Sequence, residues 1–313
     1  MTQVADRGTV DLEQHRSELT GFCYRMLGST FDADDAVQET MVRAWQGLDR
    51  FEGRSALRSW LYRIATNVCL DSLRGRQRRA LPMDLSSPVP ATTAPTDTLP
   101  ETTWLEPLPE DPAQAAVDAD TIRLAFVAAL QHLPPRQRAV LILREVLCWQ
   151  ATEVAELLDT TVASVNSALQ RARATLSASK LTDSTPVAEL DADGQALLAR
   201  YVAAFEAYDM ESLVSLLHED ASISMPPFTM WIQGVDQLPT WYLGYGIGCK
   251  GSRMVPLVAN GMPAFGQYKP GPDGGYVPWC IQVLEISDGR VAHIHHFLDT
   301  NLFARFGLPP SLD

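Results

Sequence analysis

Residues 81–119 constrain the fold more than any other part of this chain of 313 residues. The segment has seven acidic residues, no lysine or arginine, many prolines and threonines, and no regular spacing of apolar side chains. Proline interrupts helices and sheets, so this composition is typical of an extended linker. The regions on either side must therefore build separate cores. Trp104 and Leu105 lie inside the linker and are expected to dock on a partner surface, because a solvated tether gains nothing from them.

Both regions that flank the linker have the apolar periodicity of helices, whereas the pattern beyond about 180–188 changes to a mixture of helix and strand. We therefore predict four segments, with boundaries at 1–80, 81–119, 120–182 and 183–313. The first and third are expected to be all-α and the last α+β, which makes the protein multidomain.

The spacing of the cysteines and the length of the apolar runs indicate the cellular compartment of the protein. The five cysteines are widely spaced and form no C-x-x-C pair, so buried thiols in a reducing compartment are expected rather than disulfides or structural zinc. No apolar run has the length of a membrane span, and the first residues lack the core of a signal peptide. The sequence thus predicts a cytoplasmic protein with no membrane contact, no metal and no cofactor.

The net charge of −13 hides a local basic segment. Residues 58–79 contain six arginines and one acidic residue, Asp71, together with the aromatic residues Trp60 and Tyr62. Guanidinium groups bind phosphates, and aromatic rings stack on unpaired bases. The segment is therefore a candidate for binding single-stranded nucleic acid.

Residues 32–45 have the spacing of an amphipathic helix. Val37, Met41, Ala44, Trp45 and Leu48 recur at intervals that place them on one face, which we expect to be buried. The opposite face then carries an acidic and polar group of side chains: Asp35, Gln38 and Glu39. Taken alone, these residues suit a solvated surface as well as an interface.

Residues 133–176 predict a helix-turn-helix. One helix runs to about Leu147, a short second helix covers Ala151 to Leu158, and Thr161 is placed to cap a third. The outer face and flanks of the third helix carry small, polar and basic side chains, namely Ala163, Ser164, Asn166, Ser167, Gln170, Arg171 and Arg173. Small residues let such a helix approach base edges in the major groove, Gln170 suits a base, and the arginines suit phosphates. A structural helical hairpin with a basic face remains the alternative.

Together these two helical blocks resemble bacterial sigma factors of the extracytoplasmic-function group. The resemblance rests on DADDAVQETMVRAW, SALRSWLYRIATNVCLDSLR, LPPRQRAVLILREV and the helix-turn-helix, and it covers about residues 10–178. It implies that the first block is sigma region two, a helical bundle, and that the second is region four. Ala168 is a departure, because many relatives have a basic residue there, so one phosphate contact and the promoter preference do not carry over.

The resemblance also implies roles for individual residues. Asp35, Gln38 and Glu39 would dock on the clamp helices of the β′ subunit of core RNA polymerase. Region four would read the minus-thirty-five element of promoter DNA as duplex through its outer face, and would touch the β flap. The residues implied for the melted minus-ten element are Arg54, Ser55, Leu57, Arg58, Trp60, Arg63, Asn67 and Arg74.

The last domain ends in a predicted β-hairpin. Asp288-Gly289 is a strong turn signal, and folding there places His293 and His295 on one face of the hairpin and His296 on the other. The three histidines therefore cannot converge on one metal ion unless the hairpin contains a bulge. The expected cross-strand pairs are Ile286 with Val291, Leu284 with His293, Gln282 with His295, and Cys280 with Phe297.

The helices, strands and final hairpin of residues 183–313 resemble the SnoaL-like cone, in which helices close over a curved sheet around a pocket. Trp231, His293, His295 and Asp299 are expected to line that pocket. The resemblance implies a regulatory domain that acts in cis on a sigma factor, with no catalytic residue. Two alternatives remain: a small-molecule enzyme using His293, His295 and Asp299, with His218 as a further candidate, or a pocket that binds an unknown small ligand without turning it over.

Overall fold

The computed structural model describes residues 11–51, 56–110, 119–177 and 185–313. Its α-helices are α1 (Arg16–Leu27), α2 (Thr30–Gly47), α3 (Leu57–Ser72), α4 (Ala119–Ile122), α5 (Leu124–Gln131), α6 (Pro135–Leu141), α7 (Ala151–Leu157), α8 (Val162–Ser177), α9 (Ala192–Ala207), α10 (Met210–Ser215), α11 (Leu238–Leu243) and α12 (Leu302–Arg305). Its strands are β1 (Leu217–Ser224), β2 (Trp231–Gln233), β3 (Arg253–Ala259), β4 (Met262–Pro270), β5 (Tyr276–Ser287) and β6 (Arg290–Phe297). Within these ranges, no helix has both the length and the hydropathy that a bilayer span requires.

The chain forms two compact units. The first contains Met1–Leu27, Phe31–Arg76 and Leu133–Leu176, and the second contains Gly28–Thr30, Gln77–His132 and Ser177–Asp313. The residues predicted as a linker thus share a unit with the C-terminal domain and with residues 120–132, the start of the second helical block. The other unit holds most of the first block and residues 133–176 of the second.

In the first unit, α1 packs against α3 and α6, and α3 also packs against α7. Aromatic side chains join these helices, because apolar rings gain most from being removed from water. The rings of Phe22 and Tyr62 meet edge to face with centroids 5.2 Å apart, and Tyr62 meets Trp149 at 5.2 Å. Arg138 is buried and donates hydrogen bonds to the main-chain oxygens of Met26 and Leu133.

The second unit is built on a six-stranded sheet of order β2-β1-β6-β5-β4-β3. Strands β1 and β6 are parallel and the other neighbours are antiparallel. Helix α9 covers one face of the sheet: Tyr201 stacks on Phe265 of β4 with centroids 6.0 Å apart and donates a 2.9 Å hydrogen bond to Gln282 of β5. This arrangement of helices over a curved sheet is an α+β cone.

The final hairpin turns at the predicted place but pairs differently. Asp288 and Gly289 both have positive φ, 50° and 70°, as the turn requires. The pair of Ile286 with Val291 is confirmed, but a β-bulge follows it and shifts the remaining register by one residue. The other three predicted pairs are wrong, and the observed partners are Glu285 with His293, Val283 with His295, Gln282 with His296, and Ile281 with Phe297.

The linker lies along the C-terminal domain rather than in solvent. Main-chain hydrogen bonds join Val89 to Trp231 (2.9 Å) and Leu99 to Pro227 (3.1 Å). The Trp231 indole Nε1 donates to the main-chain oxygen of Ser86 at 2.9 Å. Trp104 and Leu105 are 3% and 0% exposed, so both side chains are buried within this unit rather than left in solvent.

Candidate nucleic-acid interface

Helix α8 presents the predicted outer face to solvent. The hydroxyl of Thr161 accepts a 3.1 Å hydrogen bond from the main-chain nitrogen of Ser164, which caps the helix as expected. Val165, Leu169 and Ala172 are buried on the inner side. The residues predicted to meet duplex DNA are all exposed: Ala163, Ser164, Asn166, Ser167, Gln170, Arg171 and Arg173. One of them is already engaged, since Arg173 donates to the carboxylate of Glu145 at 2.6 Å.

Helix α3 carries the predicted single-strand face. Arg54 and Ser55 lie outside the described residues. Leu57 and Trp60 are partly buried, with Trp60 packed at 5.0 Å between ring centroids against Phe51. The remaining predicted residues of this face are exposed: Arg58, Arg63, Asn67 and Arg74.

Two of these arginines contact neighbouring elements of the same unit. Arg58 donates a 2.7 Å hydrogen bond to Glu18, and its guanidinium lies 5.2 Å from the ring centroid of Tyr62 and 5.8 Å from that of Trp149. Arg63 reaches Glu156 of α7. The face predicted to bind unpaired bases therefore meets the first helix of the helix-turn-helix, because both belong to one compact unit.

Helix α2 exposes its predicted acidic face. Asp35, Gln38 and Glu39 are all exposed, and Glu39 pairs with Arg43 at 2.6 Å. The prediction that Trp45 belongs to the buried face is wrong, because its side chain is 74% exposed. Each residue turns a helix by about 100°, which places position 45 at the margin of the apolar stripe.

A buried polar cluster lies where β1, β5 and β6 meet. Ser222 contacts Nδ1 of His293 at 2.5 Å, and Ser224 contacts Nδ1 of His295 at 3.0 Å. Nε2 of His295 lies 3.2 Å from Oε1 of Glu285, and both of these side chains are almost fully buried. With its proton on Nε2, His295 donates to Glu285 and accepts from Ser224, so both ring nitrogens are satisfied.

The electrostatics of this cluster favour an ionised carboxylate at Glu285. Burial alone would raise the pKa of Glu285, but the hydrogen bond and charge of His295 outweigh it and lower that pKa. Burial lowers the pKa of His293, because a charged ring is poorly solvated there. On the other face of the sheet, burial lowers the pKa of His296 to about 4.

The predicted pocket residues are not brought together in one place. A cavity of about 320 Å³ has Trp104, Phe297 and Asp299 among its lining residues, but neither Trp231 nor the two histidines line it. Asp299 accepts hydrogen bonds from Asn301, and His295 is buried in the cluster described above. Within the described ranges, no three His, Cys, Asp or Glu side chains are arranged to hold a metal ion.

Sequence reasoning missed the partners of the histidines. Ser222 and Ser224 come from β1, which lies about 70 residues upstream and pairs in parallel with β6. Parallel strands are not joined by a tight turn, so no local feature of the sequence indicates that β1 pairs with β6. Glu285 could not be predicted as a partner of the histidines, because a hairpin without the bulge places Glu285 on the opposite face of the sheet.

Comparisons with known proteins place the chain in a family. The model described as Sigma-70 region 2 matches residues 12–79, and that described as Sigma-70, region 4 matches residues 123–176. Over 311 residues, the chain is 46% identical to the ECF RNA polymerase sigma factor SigG of Mycobacterium tuberculosis strain H37Rv, covering 96% of this chain and 83% of SigG. The chain belongs to the extracytoplasmic-function sigma factors. Core RNA polymerase and promoter DNA are thus its partners, and its family is not one of enzymes in the usual sense.

A second relative extends the match through the C-terminal domain. The sigma factor SigJ of M. tuberculosis is 28% identical over 306 residues, which covers 94% of this chain and 92% of SigJ. The crystal structure of M. tuberculosis SigJ superposes with a TM-score of 0.62 at 23% identity, covering 96% of this chain and 100% of that one. The fold of this sigma factor is accordingly multidomain, with two all-α sigma regions and a SnoaL-like α+β cone.

Proposed function

We propose that this sigma factor reads the minus-thirty-five element through α8 and the melted minus-ten element through α3. The exposed face of α8 supports the first role, because it combines small residues near a capped N-terminus with Gln170 and Arg171. The arginines of α3 beside Trp60 support the second role. We assign Asp35, Gln38 and Glu39 of α2 to the clamp helices of β′, and region four to the β flap.

The same proposal gives the C-terminal domain a regulatory role in cis. The observation that carries it is the linker, which shares a compact unit with this domain and hydrogen-bonds along it. Asn260 is central to that contact. Its Oδ1 accepts from the main-chain nitrogen of Leu108 at 2.9 Å, and its Nδ2 donates to the main-chain oxygen of Ile122 at 2.6 Å.

The segment that leads into region four is thereby hydrogen-bonded to the C-terminal domain at two places, Leu108 and Ile122. Residues 123–132, where the region four match begins, belong to the same unit, and Leu124, Val127 and Leu130 of α5 are buried in it. Any change in the C-terminal domain therefore acts directly on the segment that joins the two promoter-reading regions.

We infer that this domain regulates rather than catalyses. Its candidate histidines His293 and His295 are hydrogen-bonded to Ser222, Ser224 and Glu285, and Asp299 caps the turn that follows β6. A catalytic acid or base must reach its substrate, and His295, at 2% exposed, is covered.

The test is run-off transcription with purified core RNA polymerase and a promoter selected on the full-length chain. We expect promoter-specific transcripts from the full chain. Gln170→Ala should relax discrimination at one base pair, by about 1–3 kcal/mol for a lost base contact. Truncation near Lys180 and Asn260→Ala should both change transcript yield. No transcript from the full chain would refute the proposal, whereas unchanged yields from both of the last variants would refute only the regulatory part.

A further inference from the structure

An ion pair joins helix α8 to the helical turn that follows α6. Arg173 Nη2 donates to Glu145 Oε1 at 2.6 Å. The two residues lie 28 positions apart in the sequence, so the pair depends on how the helices of region four pack. The side chains of Arg173 and Glu145 are 62% and 40% exposed. The pair therefore lies at the protein surface, within reach of DNA bound to α8.

Glu145 lies in a π-helical turn, Ile142–Val146, that continues α6. The main-chain nitrogen of Leu147 donates to the oxygen of Ile142 at 2.9 Å, which is the five-residue spacing of such a turn. Ile142 and Leu143 are buried, and Glu145 is exposed on the outer side. Isolated π-helical turns are rare and occur frequently at functional sites. The backbone thus points to a role for the residue that this turn presents to α8.

Arg173 lies on the flank of α8 rather than at the centre of its outer face. Each residue turns an α-helix by about 100°, so Arg173 is about 80° around the axis from the buried Val165. By the same geometry, Ser167 is about 160° and Arg171 about 120° from Val165. Arg171 is therefore directed toward the side that would face DNA, whereas Arg173 is directed toward Glu145.

The two arginines consequently offer different charge to DNA. Among the described residues, no acidic side chain pairs with Arg171, whereas the charge of Arg173 is balanced by Glu145. Carboxylate and phosphate groups compete for a guanidinium, because both accept its hydrogen bonds in the same planar arrangement. A phosphate contact by Arg173 would therefore require the 2.6 Å pair with Glu145 to break.

We propose that Glu145 holds Arg173 away from the DNA phosphates, so that Arg171 alone of the two arginines contacts a phosphate and the Glu145–Arg173 pair stays closed on the promoter. This rests on the assignment of α8 to the minus-thirty-five element. Glu145 is then a positioning residue that acts on DNA through Arg173. Phosphate contacts strengthen binding to every sequence, so Glu145 limits the sequence-independent affinity of region four.

The test measures binding of the holoenzyme, assembled from the full chain and core RNA polymerase, to a fluorescent promoter duplex between about 50 and 200 mM KCl. Each phosphate contact adds about 0.9 to the slope of log affinity against log salt, or about a threefold difference over this range. Glu145→Gln should release Arg173 to a phosphate and steepen the slope by about 0.9. Arg171→Gln should make it shallower by about the same amount. An unchanged slope with Glu145→Gln would overturn the proposal.

A double variant distinguishes the closed pair from a direct phosphate contact. Arg173→Gln alone should weaken binding by about threefold, because Glu145 then presents an uncompensated charge to the phosphates. Glu145→Gln/Arg173→Gln removes both charges and should restore the affinity and the slope of the unmodified chain. If Arg173 instead contacts a phosphate, the double variant will bind as weakly as Arg173→Gln, and the proposal is wrong.

Two controls complete the experiment. Asp159→Asn removes an exposed acid from the turn between α7 and α8, and asparagine tolerates the φ of 49° there. Equal steepening by Asp159→Asn and Glu145→Gln would assign the effect to net charge and contradict the proposal. A duplex with a scrambled minus-thirty-five element tests the underlying assignment, because equal affinity of the unmodified holoenzyme for both duplexes would refute the role of α8. The effect of Glu145→Gln should be the same on both, since phosphates carry no sequence information.

Discussion

Arg63 Nη2 lies 3.3 Å from the main-chain oxygen of Glu156 and 3.4 Å from its carboxylate. This contact joins α3, assigned to the minus-ten element, to α7 of the helix-turn-helix. The two promoter elements are centred roughly 25 base pairs apart, or about 85 Å along B-DNA. Both can be bound at once only if the contact between α3 and α7 opens. With the assignments proposed above, the contact between α3 and α7 defines a closed state of these two regions.

Glu156→Gln should make the free protein bind a single-stranded minus-ten oligonucleotide about threefold more tightly, because an exposed ion pair is worth less than about 1 kcal/mol. The free energy of unfolding should change by less than about 0.5 kcal/mol for the same reason. Fluorescence anisotropy measures the first and urea denaturation the second. Glu13→Gln is the control, since it removes the exposed pair with Arg16, far along the chain from α3. Equal gains in both variants would point to net charge alone.

Trp149 is the apolar part of the same closed contact. Its ring is 6% exposed and lies against Tyr62 and Arg58, but among the described residues its indole nitrogen has no hydrogen-bond partner. Trp149→Phe should therefore cost about 1 kcal/mol or less in unfolding free energy, whereas Trp149→Ala should cost about 3 kcal/mol through the cavity it leaves. Urea denaturation followed by circular dichroism distinguishes them. A Phe variant as unstable as the Ala variant would show that the indole N–H is in fact satisfied.

The features predicted well from sequence are those set by local spacing. The 3.6-residue period identified the buried side of α8, Thr161 marked its start, and Asp288-Gly289 marked the turn of the last hairpin. Each depends on residues within one or two turns of chain. Trp45 failed because a residue at the margin of an apolar stripe is placed by its neighbours in space rather than by its period.

The features that escaped prediction depend on contacts between distant segments. A single bulge beside Glu285 moved that residue into the histidine cluster, and no residue type marks the bulge in the sequence. Over residues 81–110 the chain forms two short 3-10 turns, Pro82–Asp84 and Glu101–Thr103, and the linker composition gave no sign that Asn260 would hold the segment in place.

The C-terminal domain should lose stability as the pH falls from about 6.5 to 4. Burial lowers the pKa values of His293 and His296, the latter to about 4, so below 6.5 the unfolded chain binds protons that the folded chain does not. Glu285, whose pKa is also lowered, adds stability above about 4.5 that is lost as the pH falls further. All three groups act in the same direction. Urea denaturation of the full chain at several pH values measures the slope.

His296→Gln should flatten this pH dependence, because a neutral side chain takes up no proton. A shift from 6.5 to about 4 corresponds to about 3 kcal/mol between those limits, so most of the slope should disappear. The control is His15→Gln, which changes a histidine of the other unit that pairs with Glu18. If His15→Gln flattens the curve as much as His296→Gln does, the buried histidine is not the origin.

Substitutions at Asn260 should separate the two attachments of the linker region. Asn260→Asp keeps an oxygen that accepts from Leu108 but loses the donor to the main-chain oxygen of Ile122, and it places a carboxylate against that carbonyl. Hydrogen exchange should therefore rise in α4 and α5 and stay low near Leu108, whereas Asn260→Ala should raise exchange at both. The stability cost should be about 1–3 kcal/mol for each buried group left unpaired. Uniform exchange changes in the Asp variant would show that the two attachments act as one, in which case the domain holds the linker and the start of region four as a single element.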